Sequence, residues 1–358
     1  MKAMVCEMCN SNDLVKQDGM FVCQHCGTKY SVEEAKKLMI EGTVSIDNSA
    51  TLENYRTLAR RARDEYNTDN AQKYYALIAE MDPNDWEASF FTVYFQSSNC
   101  IIAHIASACN AISSVLPTTF SLIDKLGNEA DKEAAVSVIT VYCTVIAETM
   151  RKSATNHYNG IDSSIRSNYS GEYQQRRNAA SLILLSLAGQ IENRGVEKYA
   201  TAYSKLVGNL FATHSDTLKP EAEIEYVENW AKCDPQKAEA YISRNIVGTY
   251  VKVSEAYLRI WKTLNPNAEH LHNVKKTEAT AEAAKSGIKV AFGTILVGVI
   301  FCLIGNALGA LNRYDPNTFG LIMFVLGIII TAVGLINIPK NIFRANKAKR
   351  ELEELNKK

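Results

Sequence analysis

Hydrophobic and polar positions along the chain fall into three regimes. Apolar and polar residues mix in two short runs, Leu14-Val15-Lys16-Gln17 and Met20-Phe21-Val22, joined by Asp18-Gly19. That pattern predicts a β-hairpin with a tight two-residue turn. From Leu52 to about residue 288 apolar residues recur at helical spacing, the signature of helices that bury one face. Helices are predicted at 52–66, 70–81, 90–123, 129–156, 172–193, 196–214, 221–232, 237–263 and 268–288, with Thr51 as an N-cap and helix ends at Asp82-Pro83, Asp234-Pro235 and Asn265-Pro266. In the third regime charge disappears. Val290–Leu311 and Phe319–Ile338 contain no Asp, Glu, Lys or Arg across 22 and 20 positions, and about 20 residues suffice to cross a ~30 Å hydrocarbon core as a helix.

These two stretches, separated by the polar turn Asn312–Thr318, read as a transmembrane hairpin over 289–338. Lys275, Lys276, Lys285 and Lys289 precede it, and Lys340, Arg344, Lys347, Lys349 and Arg350 follow it, against Arg313 alone in the turn. The bias toward basic flanks places both termini on the cytoplasmic side of a cell membrane. Ala291, Gly298 and Gly305 recur every seven residues, as do Gly320, Gly327 and Gly334; each set shares a face and invites close helix packing. Packing within the hairpin is the expected use, with Gly305-x-x-x-Gly309 a second small face for self-association. Asn306 is read as an interhelical hydrogen bonder. No Asp, Glu, Lys or His lies inside either span, which counts against an ion or proton path. Residues 339–358 form a basic tail, with Ile342, Phe343, Leu352 and Leu355 able to rest on the inner leaflet.

Phe90–Ile123 is also free of charge, yet Gln96, Asn99, His104, Asn110 and several serines interrupt it, and Ile101, Ile105, Ala108, Ile112 and Val115 make one stripe. An amphipathic helix of a soluble bundle fits that pattern, with His104 as a core histidine. Ala59, Ala71, Tyr75 and Pro83 match the spacing of one tetratricopeptide-like unit. Composition adds little pull in any direction. Across 358 residues, 39 Lys+Arg balance 39 Asp+Glu, so there is no net field toward nucleic acid or anionic lipid. Residues 1–7 hold no apolar run of the kind a cleavable signal peptide needs.

The strongest chemical signal is at the start. Of nine cysteines, Cys100, Cys109, Cys143, Cys233 and Cys302 are scattered and read as free thiols, while Cys6-x-x-Cys9 and Cys23-x-x-Cys26 are two knuckles 13 residues apart. Four thiolates at this spacing can close a tetrahedral Zn²⁺ site. The hairpin between them completes a zinc ribbon over 1–40, with Gly27 and Asn10 after the knuckles. Redox-active Cys pairs sit in a βαβ context, and none surrounds this pair. His25, inside the second knuckle, is a bystander once four cysteines are available. Ser31-Val32-Glu33-Glu34 is a capping box that starts a helix to about Ile40, and 41–51 reads as a linker. Residues 52–288 form an all-helical domain.

Val5–Met39, with both knuckles and the exit Tyr30-Ser31-Val32-Glu33-Glu34-Ala35-Lys36-Lys37, resembles the N-terminus of bacterial, Gram-positive-type membrane proteins carrying a transcription factor IIB-type zinc ribbon. The resemblance implies Cys6, Cys9, Cys23 and Cys26 as ligands of one structural Zn²⁺, ahead of a helical region and membrane segments. Asn10 stands where such ribbons usually carry Gly. The transcriptional association finds no match in charge: Met1–Glu41 holds five lysines against six acids, whereas a DNA-reading module presents a basic face.

Chemistry beyond the metal is sparse. There is no phosphate-binding glycine loop, His-Glu-x-x-His, nucleophile elbow or dinucleotide fingerprint, and the six histidines are scattered apart from His270-x-His272. No catalytic residues and no enzymatic activity are expected. The expected fold is mainly α: zinc ribbon, all-helical cytoplasmic domain and two-helix membrane anchor. Such a chain is expected to act as a scaffold or adaptor binding protein partners. A membrane-tethered nucleic-acid binder using the ribbon is the alternative; a pore built from the hairpin lacks a polar lining.

Overall fold

The computed structural model describes residues 6–9, 11–35, 49–311 and 318–357. They belong to two compact units, Met1–Thr92 and Val93–Lys358. Residues 41–48 of the expected linker, the end of the ribbon helix near Ile40, Asn10 and the turn with Arg313 and Tyr314 lie outside the described residues; the last three linker positions, 49–51, are already helical.

The fold is mainly α with one small antiparallel sheet. In the first unit the strands are β1 (Leu14–Gln17), β2 (Met20–Cys23) and β3 (Lys29–Tyr30), in that order, with Leu14 opposite Cys23 and Phe21 opposite Tyr30. Helices α1 (Ser49–Asp64) and α2 (Thr68–Met81) pack as a pair. The first starts two residues ahead of Thr51, so Thr51 is not its cap. Ala59, Ala71 and Tyr75 are all buried, as their spacing predicts. Asp82 ends α2, and α3 (Trp86–Ser98) follows. A buried carboxylate ties these helices together. Glu87 is 6% exposed and accepts from Arg63 at 2.6 Å and Arg60 at 2.8 Å, with the Tyr75 hydroxyl at 3.5 Å. Arg56 reaches Asp82 at 3.0 Å and Asp85 at 2.8 Å.

In the second unit α4 (Ile105–Ile123), α5 (Glu129–Gly160), α6 (Ser170–Glu192) and α7 (Ala200–Thr213) share a core in which Ile112, Leu116, Phe120, Ile139, Leu184 and Leu206 are fully buried. Burying each such side chain contributes about 1.5–3 kcal/mol. Next come α8 (Pro220–Cys233), α9 (Pro235–Asn245) and α10 (Val251–Leu264). Asp234 ends α8 and caps α9 by accepting from the Lys237 amide, and Asn265 ends α10.

Three expectations are corrected. The single helix over 90–123 breaks at residues 99–101 before a short 3₁₀ turn (Ile102–His104), which leaves Ile101 65% exposed and His104 at the surface. The buried histidine is His214, 0% exposed. The helix over 237–263 is two helices. The chain turns at Gly248-Thr249, where Ser254 Oγ donates to the Ile246 carbonyl at 2.6 Å and satisfies a freed helix end.

Two long helices close the chain, α11 (Ala268–Leu311) and α12 (Thr318–Leu355), packed antiparallel. Gly298, Gly305, Gly327 and Gly334 lie on the seam: a Cβ at Gly327 would sit 2.6 Å from the Cys302 amide nitrogen, and one at Gly305 2.5 Å from that of Phe324. The seven-residue glycine spacing therefore packs the hairpin itself. Asn306 does not bridge it; its side chain is exposed. The seam continues past the apolar stretches, where Ala284 and Ala348 are buried and the Asn341 side chain seats against Gly287. The basic tail is thus the end of α12 packed along α11, not a separate helix free to lie flat. Four helical stretches among the described residues are long and apolar enough to cross a membrane. Those at Ile102–Ile123 and Glu129–Gly160 have 44% and 50% of their apolar windows buried in the bundle, while the C-terminal pair has 11% each. The apolar surface of the first two is spent on packing; that of the hairpin is left for another apolar phase.

Candidate metal centre

The ribbon is built by local rules. Asp18 and Gly19 both take positive φ, 51° and 80°, as the mirror-image hairpin turn requires. Strand register then fixes which side chains meet: Leu14, Phe21, Cys23 and Tyr30 share the inner face with Cys6 and Cys9. Each knuckle is a turn closed by backbone bonds, Cys6 N–H to the Ser11 carbonyl at 2.8 Å and Cys23 N–H to the Thr28 carbonyl at 2.9 Å. Gly27 closes the second knuckle by donating to the Cys23 carbonyl at 2.9 Å with φ 75°, a conformation that favours glycine. The capping box forms in both directions: Glu34 N–H donates to Ser31 Oγ at 3.1 Å, and Ser31 N–H to Glu34 Oε2 at 2.8 Å.

The four cysteine Sγ atoms lie within 4.8 Å of one another, with Cys6–Cys26 at 3.5 Å and Cys9–Cys23 at 3.6 Å. A tetrahedral ion with ~2.3 Å metal–sulfur bonds has sulfur–sulfur edges of about 3.8 Å. The four thiols present therefore fit a metal ion. Cys6 and Cys23 are fully buried and Cys26 is exposed. His25 is exposed and lies outside the cluster.

Second-layer groups tune the thiols. The Tyr30 hydroxyl sits 3.1 Å from Cys6 Sγ and accepts the Glu7 amide at 3.0 Å, which leaves its own proton available to a thiolate. That hydrogen bond holds Cys6 down to about 6 against the effect of burial, and it raises Tyr30 in turn. A hydrogen bond with Thr28, 3.1 Å away, lowers Cys26. At Cys9 a backbone hydrogen bond from Ser11 favours the thiolate, but burial and the three neighbouring sulfurs together outweigh it and push the thiol up to about 12. Mutual repulsion among thiolates is what a central cation removes. Tyr30 and Thr28 are functional neighbours that spacing alone does not reveal; the sequence signal is a hydroxyl residue two and four positions after Cys26.

The opposite face of the sheet carries Val15, Gln17, Met20, Val22 and Lys29. Val15 and Met20 are 43% and 39% exposed, and Met8 on the first knuckle is 76% exposed. Residues 6–35 hold Lys16 and Lys29 against Glu7, Asp13, Asp18, Glu33 and Glu34. The described ribbon surface is thus apolar and acidic.

No protein-family model, curated protein or solved structure matches the chain.

Proposed function

We propose that this chain is a membrane-anchored scaffold, cytoplasm-facing at both ends, whose ribbon holds one structural Zn²⁺ and presents a surface to protein partners. The observation that carries the reading is the exposed apolar surface of the ribbon, Val15 and Met20 on the outer face of the sheet and Met8 on the first knuckle, on a module whose residues 1–40 hold five lysines against five acids and so no basic excess. Apolar side chains clustered on so small a unit suit a protein contact, while phosphate backbones select Lys and Arg. Zinc fits an all-thiolate tetrahedral set, and four filled positions make the ion structural and not catalytic. The hairpin supports membrane insertion through its uncovered apolar surface and its basic flanks. The α1–α2 pair, with Ala59, Ala71 and Tyr75 at its crossing, supports a tetratricopeptide-like character for the start of the helical domain.

The test is a cross-linked pull-down of the full-length protein from native membranes, scored for protein and nucleic acid. Two variants accompany it: Cys23→Ser/Cys26→Ser, which loses the metal, and Val15→Glu/Met20→Glu, which keeps it. Specific proteins lost from both variants are the expected result. Zinc-dependent recovery of nucleic acid would overturn the scaffold and install the tethered regulator.

A further inference from the structure

Asn306 is the one strongly polar side chain well inside Val290–Leu311. It is exposed, and it makes no hydrogen bond to any other described residue. The seam between α11 and α12 is occupied by glycines and Cys302, whose Sγ faces the Phe324 carbonyl at 3.6 Å, so the amide cannot turn inward for a partner. A carboxamide facing hydrocarbon with donors and acceptors unmet costs several kcal/mol. Among the described residues of the hairpin nothing satisfies it.

The surroundings of Asn306 indicate what could. Leu296, Val299 and Leu303 precede it along one stripe of α11, with successive steps of three, four and three residues from Leu296 to Asn306. They are 63%, 42% and 64% exposed. Apolar residues at alternating three- and four-residue steps form the seam of a helix pair, and a single Asn on such a seam fixes register and partner number. A carboxamide is its own complement, because each can donate its N–H to the other's oxygen across a two-fold axis.

We infer that the lipid-facing stripe Leu296–Val299–Leu303–Asn306 is a dimer interface with a second copy of this chain, closed by an Asn306–Asn306 amide pair. Gly298, Gly305, Gly327 and Gly334 belong to the hairpin seam and take no part. This rests on the proposed membrane insertion of α11 and α12.

The test uses full-length protein, labelled at its C-terminus with donor or acceptor fluorophores and reconstituted into phosphatidylcholine vesicles at graded protein-to-lipid ratios. Energy transfer that rises with protein density and falls on dilution with unlabelled chain is expected for wild type. Asn306→Leu should weaken association about three- to tenfold, and Asn306→Gln, which keeps the amide, should recover part of it. Ile336→Ala, an exposed α12 position off the stripe (69% exposed), should match wild type. Wild type that stays monomeric at every density, or Asn306→Leu that associates like wild type, overturns the inference. Alkaline carbonate extraction reads the premise separately: protein released by it would refute membrane insertion, and the dimer with it.

Discussion

Acidification should destabilise the helical bundle through one residue, His214. Ser181 Oγ lies 3.1 Å from the Arg177 carbonyl and 2.8 Å from His214 Nδ1, so whichever tautomer the ring adopts its Nδ1 is hydrogen-bonded. The other ring nitrogen is Nε2. That nitrogen is buried and meets no partner among the described residues. Arg151 and Arg177 lie close by and share the carboxylate of Asp216. Burial first, and the Arg151 charge second, hold His214 down to about 4 from 6.5, while Asp216 and Glu148 offset part of this.

The sign follows from linkage. Above pH 6.5 the ring is neutral in the folded and unfolded chain and contributes nothing to pH dependence. As the pH falls, the unfolded chain takes up the proton first, so stability is lost between about 6.5 and 4. With those two values the loss is about 2 kcal/mol at pH 5 and about 3 kcal/mol at pH 4. Against a total of roughly 5–15 kcal/mol for a domain this is readily measured. The assay is hydrogen exchange of the α6 and α7 amides in the full-length protein at pH 7 and pH 5, corrected for intrinsic rates, beside His214→Gln. Carboxylates elsewhere titrate equally in both proteins, so the difference isolates the histidine. Wild type should lose about 2 kcal/mol more opening free energy than the variant. Equal losses in the two proteins would refute the reasoning.

Three further outcomes follow from the same structure. Chelation or Cys23→Ser should expose residues 6–35 to protease while melting of the helical bundle is unchanged, because the ribbon's inner face is little more than its cysteines, Leu14, Phe21 and Tyr30. Elemental analysis should find one metal per chain, and a ribbon still protected without metal would sink the assignment. Glu87→Gln should cost about 1.5–3 kcal/mol in denaturant unfolding of the first unit, since Arg63, 13% exposed, loses a buried carboxylate partner while Asp64 stays beside it; a loss under about 1 kcal/mol would mean the arginines resolvate freely. Gly327→Val should disrupt the hairpin, as its Cβ would meet the Cys302 backbone, whereas Gly293→Val, with open space around it, should be tolerated. Thermal stability in nanodiscs separates the two, and equal tolerance would show that the seam is loose.

What could be read from the sequence was carried by short-range signals. Asp18-Gly19, Gly27, the Ser31–Glu34 box and the Asp-Pro junctions each act within a few residues, and each appears where it was expected. The four cysteines are separated in sequence, but two knuckles joined by a hairpin leave little freedom in how they meet. The failures are tertiary. His104 sits beside an apolar stripe, but the chain breaks at residues 99–101 and turns it outward; His214 is the last residue of the helix expected over 196–214, and its burial depends on α6, which no spacing within that helix encodes. Arg60 and Arg63 find Glu87 across 27 and 24 residues, a pairing no local pattern encodes. The break in 237–263 escaped because Gly248 is tolerated inside helices at a cost of only about 1 kcal/mol, and the serine that compensates lies beyond it.

The glycine seam also constrains the hairpin's role. Backbone approaches backbone along the apolar length: a Cβ at Gly298 would lie 2.8 Å from the Gly327 carbonyl, and one at Gly334 2.9 Å from that of Ala291. Helices this close leave no space between them for water, and neither Val290–Leu311 nor Phe319–Ile338 has an Asp, Glu, Lys, Arg or His to line a path. The same contact continues beyond the apolar stretches through Gly287–Asn341 and Ala284–Ala348. One continuous two-helix rod thus joins the apolar segment to the polar one, and the polar end must follow any tilt or rotation of the apolar end. A closed seam with an outward-facing Asn306 suits a rigid anchor that pairs with its neighbour, and it is a poor design for a conduit.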